Sequence, residues 1–234
     1  MQIQFNWKAK VALACYLALA GGIILGSVVL GLLLLGMGFD YPDLPFPIAL
    51  LSIPINESII LGITILFAKR KGASLGKLGL RNTSLKILVI VSFSAVLLFL
   101  LAAGISIIDE FVLGPDPMAE LLAISLIPRN LFQLTALILL SLFLVGPVEE
   151  LAFRGFVQRG FENSFGKTRG LLIASLLFGL LHGLNSLRAI VPIFAVSLIL
   201  GYVWQKTNGN TIASGLMHGI YDSIAIIIAY LAVV

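Results

Sequence analysis

The stretch Val148-Glu149-Glu150-Leu151-Ala152-Phe153-Arg154 decides how the chain is read. It follows an apolar run over 134–145, so two adjacent carboxylates and an arginine sit inside, or at the end of, a membrane-length segment. An ionisable group in hydrocarbon costs several kcal/mol unless it is paired or faces a wet cavity, so an intramembrane acid marks a functional site by default. The competing reading is an interfacial pair solvated among lipid headgroups. On a helix Glu150 and Arg154 are one turn apart and about 40° apart in angle, an i,i+4 ion pair. Glu149 points to a neighbouring face. One acid is then neutralised by Arg154 and the other left free.

The membrane reading rests on composition. The 234 residues are 59% hydrophobic and 11% charged, with mean hydropathy +1.10, against about 25% charged in soluble domains. Apolar runs of span length fall at 11–35, 48–68, 87–108, 130–150, 168–186, 189–205 and 211–233. The chain therefore reads as all-α, a polytopic bundle of about seven transmembrane helices. An eighth half-span at 118–127 is the alternative count. It forms a single integral membrane domain over 1–234, with a motif-bearing core over about 130–233. Pro45, Pro47 and Pro54 bracket the start of the second span and are expected to kink it. The fourth span is expected to continue as helix to about Asn163. The first run is too long for the h-region of a signal peptide and reads as a retained span.

Charges in the loops set the orientation. Lys8 and Lys10 precede the first span. The loop at 36–47 carries Asp40 and Asp43 and no base, and the loop at 69–86 carries six Lys or Arg. The loop at 109–129 is acidic but for Arg129, and 154–169 is basic again. This alternation places the N-terminus in the cytoplasm and the protein in the cell membrane as a multi-pass chain. Arg188 and Lys206, alone in their turns, barely vote. Glu57, in the second span, could line a cavity or pair with a basic group, and more often such a residue is a satisfied structural polar group. The one cysteine, Cys15, excludes an intrachain disulfide and a cysteine-based metal cluster. No nucleic-acid signature is present.

Two more motifs carry chemistry. Phe178 and His182 lie one turn apart, as do His218 and Asp222. Gly179, Gly183, Gly215 and Gly219 surround the histidines and permit close helix approach. With the hairpin turn centred on 165, Glu149 lies 16 residues before it and His182 17 after. In an antiparallel pair both fall roughly 25 Å from the turn. His218 lies only eight residues past Asn210, so it reaches that level only if the turn at 208–210 starts deeper. Buried polar groups at one level on three helices are expected to converge on shared partners. A carboxylate and a histidine facing a trapped water form a general base for hydrolysis, and a second histidine with a polar partner can stabilise an oxyanion. Alternatively Glu149, His182, His218 and Asp222 are all zinc-ligand types, which would supply a bound hydroxide. The helical His-Glu-x-x-His pattern is absent.

Glu-Glu-x-x-x-Arg, then Phe-x-x-x-His, then His-x-x-x-Asp, in that order over Glu149 to Asp222, resembles the type II CAAX prenyl endopeptidase and bacteriocin-processing family, also called abortive-infection-like. The basic loop ending Leu78-Gly79-Leu80-Arg81 is similar too. The resemblance implies an intramembrane protease, described in the family as metal-dependent and as glutamate-dependent, whose substrate is a peptide or protein, lipidated at its C-terminus in the CAAX branch. It implies that Glu149 activates water with His182, that His218 and Asp222 hold the oxyanion, and that Glu150, Arg154 and Phe178 support them. Asp222 stands where the endopeptidase branch has Asn. An ionised Asp accepts hydrogen bonds and cannot donate one. Two further readings remain open at this point: a non-enzymatic membrane module using the acids structurally or as an ion path, and a haem held by His182 and His218.

Overall fold

The computed structural model describes residues 7–39 and 44–233. Asp40 and Asp43, on which the first acidic loop was read, lie outside the described residues. The described chain forms eight helices and no strand: α1 Ala9–Gly36, α2 Phe46–Arg70, α3 Leu85–Leu113, α4 Pro117–Ile124, α5 Leu131–Phe165, α6 Lys167–His182, α7 Ile190–Lys206 and α8 Thr211–Leu231. Six are long and apolar enough to cross a membrane: α1, α2, α3, α5, α7 (with its preceding turn) and α8. Seven spans were expected. The difference is α6, whose 16 residues reach about 24 Å and which begins on Lys167 and Arg169. The half-span at 118–127 is the short α4.

Local sequence sets the helix ends. The Ser84, Asn130 and Asn210 side chains accept from the N–H groups of Ile87, Gln133 and Ile212, satisfying orphan donors at the starts of α3, α5 and α8. Gly114 and Gly166, at φ 76° and 80°, end α3 and α5. Pro54 lies inside α2, which continues through it.

α5 is the axis of the bundle. It touches α1, α2, α6, α7 and α8, while α3 packs against α7 and α8. Two apolar cores result. The first joins α1, α2, α5 and α6 around Trp7, Leu19, Phe153, Phe156 and Phe178, with the Trp7 and Phe156 rings stacked 4.7 Å apart. The second joins α3, α7 and α8 around Leu98, Leu200 and Met217. Between them runs a polar seam. Its α5 members Glu150, Arg154, Gln158 and Glu162 are four residues apart, and they meet Ser197, Gly201 and Gln205 at the same spacing on α7.

The ends of the bundle differ in charge. Arg81 of the basic loop donates to the Asn208 carbonyl, and the Thr211 N–H donates to the Gly79 carbonyl, so the α7–α8 turn sits at the basic end. At the other end Arg188 pairs with Asp109 at 2.6 Å and donates to the Gly114 and Pro115 carbonyls, and Ser186 donates to Asp116. The single base of the α6–α7 turn is thus neutralised by the acidic end it joins.

Candidate active site

The carboxylate stretch sits between two wide turns of α5. Residues Ser141–Val145 and Leu151–Gln158 are π-helical, and Gly146–Glu150 between them is α-helical. Pro147 has no N–H and its ring would meet the carbonyl four residues earlier. The widened turn before it, where the Gly146 N–H reaches the Ser141 carbonyl, makes room. Such turns recur at functional sites. All eight residues Leu151–Gln158 are buried, as expected of a segment enclosed on every side.

Glycines bring α8 against this segment. A Cβ on Gly146 would lie 2.4 Å from the Gly215 carbonyl oxygen, and one on Gly219 would lie 2.6 Å from the Ser141 carbonyl oxygen. That backbone contact positions His218. The depth condition is also met. Arg159 stacks over Trp204 at 4.7 Å, and a Cβ on Gly209 would lie 3.0 Å from the Arg159 guanidinium. The 208–210 turn therefore starts at the level of Arg159, about 9 Å deeper than the end of α5.

His218 is the hub. Its Nδ1 lies 3.5 Å from Glu150 Oε1, and its Nε2 lies 3.6 Å from Asp222 Oδ2 and 3.9 Å from Glu149 Oε2. These are ionic contacts longer than hydrogen bonds, and Glu149 Oε2, Glu150 Oε1 and His218 Nδ1 have no hydrogen-bond partner among the described residues. Beneath the hub, Arg154 Nε donates to Glu150 Oε2 at 3.0 Å, and both side chains are wholly buried. An Arg154 Nη donates to Ser197 at 2.9 Å, and the guanidinium lies 5.2 Å from the centre of the Phe178 ring. Phe178 also packs on His182, ring centres 4.5 Å apart, and lies 6.0 Å from the His218 ring. His182 Nδ1 is 3.0 Å from the Phe178 carbonyl oxygen. When it donates there, Nε2 is the lone-pair nitrogen. No hydrogen bond or ion pair joins Glu149 to His182 among the described residues; the imidazole beside Glu149 is His218. Exposure rises from zero at Glu150 to 14% at the Glu149 side chain and 25% at Asp222, so the cluster grades from sealed to open.

Glu57 on α2 joins this site. It is 4% exposed, and the charged groups within electrostatic range of it are Glu149, His218 and Asp222. Read from sequence it was a structural polar. Its signal was its place in mid-span, which a lone acid shares with any buried structural one. A cavity of about 380 Å³ at the acidic end, lined by Asp109, Asp116, Glu120, Arg188 and Tyr221 among others, reaches the residue before Asp222.

No group of three or more His, Cys, Asp or Glu among the described residues is disposed to hold a metal ion. No step is assigned to one.

No curated protein and no solved structure matches the chain. Residues 131–224, from the start of α5 through His218 and Asp222 on α8, match the family model for the Rce1-like type II CAAX prenyl endopeptidases.

Proposed function

We propose that the protein is an intramembrane endopeptidase of the cell membrane, its basic end in the cytoplasm, that hydrolyses a peptide bond with water activated by Glu149. One observation carries the reading: within the segment matched to an endopeptidase family, Glu149, His218 and Asp222 from two helices meet around one imidazole, with His182 packed on the shared Phe178. Glu149, whose side chain is 14% exposed and whose buried Oε2 has no hydrogen-bond partner among the described residues, accepts the proton of the attacking water. His182 Nε2 orients that water. The hydroxide adds to the scissile carbonyl, and His218 Nε2–H faces the oxyanion that forms. Glu150, held by Arg154, and Asp222 fix the His218 ring from its two sides. Collapse of the tetrahedral intermediate breaks the C–N bond as the proton taken by Glu149 passes to the leaving nitrogen. The substrate is a peptide segment, lipidated at its C-terminus if the CAAX chemistry of the family extends to this chain.

The test is cleavage of a quenched-fluorescent peptide library, with and without C-terminal prenyl groups, by the purified chain in proteoliposomes. Glu149→Gln and His182→Ala each lower the rate about 10²–10⁴-fold with the melting temperature unchanged. Variants that cleave as fast as wild type overturn the reading. Retention of activity with a zinc chelator separates the glutamate-driven reaction from a metal-driven one.

A further inference from the structure

Four carboxyl groups surround the site, and only part of their charge is answered. Arg154 bonds Glu150. His218 stands against Glu149, Glu150 and Asp222, and His182 is within electrostatic range of Asp222. Glu57 remains. Its Oε2 is fully buried with no hydrogen-bond partner among the described residues, and it lies in range of His218 and of two further acids. A buried polar atom without a partner, in a site otherwise built from contacts, calls for an explanation.

We infer that Glu57 is a specificity-determining residue, which with Glu149 and Asp222 forms a subsite for a cationic side chain, lysine or arginine, next to the scissile bond of the substrate. This rests on the endopeptidase reading and adds its substrate preference. α2 and α8 both pack on α5, and Glu57, Asp222 and Glu149, one on each of these helices, lie within electrostatic range of one another. A metal ion needs ligands converging at about 2.0–2.6 Å, which this ring does not offer. An ammonium or guanidinium donates several hydrogen bonds of about 2.7–3.2 Å in diverging directions and spans a wider ring. Glu57 lies on α2, outside the segment matched to the family, so the subsite joins the catalytic helices to a part of the chain that the match does not reach.

The experiment is a positional scan of peptides in proteoliposomes, varying each residue on either side of the cleaved bond among Lys, Arg, Gln, Leu and Glu. Wild type favours Lys or Arg over Gln at one flanking position by about 10–100-fold in kcat/KM, the range of a hydrogen bond to a charged group. Glu57→Gln, close in size and still able to accept, erases that preference through KM while cleavage of the Gln-containing peptide continues. Glu57→Asp restores part of it. A merely structural Glu57 would change all peptides alike. Wild type that cleaves but ignores charge, or Glu57→Gln with the preference intact, overturns the inference and leaves the endopeptidase reading standing. A wild-type protein that cleaves nothing overturns both.

Discussion

Replacing Arg154 by leucine removes a guanidinium that is fully buried and bonded at 3.0 Å to an equally buried Glu150. It also removes the donor to Ser197 and the cation over Phe178. The greater cost is what stays behind, a carboxylate sealed in the bundle with its neutralising charge gone. Breaking a buried pair from one side costs about 3–5 kcal/mol. For a chain of this length each kcal/mol moves the melting temperature by about 2–4 °C, so Arg154→Leu is expected to melt about 6–20 °C below wild type. Arg154→Lys keeps the charge but not the forked geometry and falls between. The informative variant is Arg154→Leu with Glu150→Leu. Removing both charges and filling the space with apolar atoms is often neutral, so the double variant recovers most of the loss. The assay is thermal unfolding in detergent followed by size-exclusion chromatography. A single variant melting within about 2 °C of wild type, or a double variant no better than the single, refutes this account of the seam.

Two other outcomes are expected. Asp116, outside the membrane-spanning helices, is held below the ordinary carboxylate range first by the Ser186 hydroxyl, then by the Ala119 and Met118 N–H groups and Arg188. Its folded value lies below its unfolded one, so its contribution is present above about pH 4 and lost as pH falls through the folded value; amide hydrogen exchange at Met118 and Ala119, corrected for intrinsic rate, keeps its protection from pH 7 to 5, and loss within that window refutes the assignment. Cys15 is buried and gives no labelling background, so a membrane-impermeant maleimide reaches Arg70→Cys only from the cytoplasm and Glu120→Cys only from outside; labelling of both from one side overturns the orientation.

The spans were legible because a run of some twenty apolar residues has few other uses. The pairing of Glu150 with Arg154 was legible because it is local, fixed by helix geometry alone. The depth of His182 followed from counting along a hairpin. What was hidden depends on tertiary contact. The wide turns around Gly146–Glu150 are consistent with Pro147 and with the approach of Gly215 and Gly219, and only the first of these is visible in the segment itself. Glu57 looked structural because a lone acid in a span reads the same whether its neighbour is a bonding partner or a reaction centre. Arg188, alone in its turn, barely voted in the sequence, and its partner Asp109 lies 79 residues away.

The two wide turns also bear on how this helix can change over generations. Each holds a residue more than an α-turn of the same rise. Deleting one residue from 141–145 would let the segment close into a regular turn with the helix beyond it nearly unturned, whereas the same deletion in the regular stretch Leu131–Leu140 would swing everything after it by about 100°, carrying Glu149 off His218 and Arg154 off Ser197. The direction of the acids is therefore encoded by a residue count in the regular turns, while the wide turn is the one place where a lost residue can be taken up.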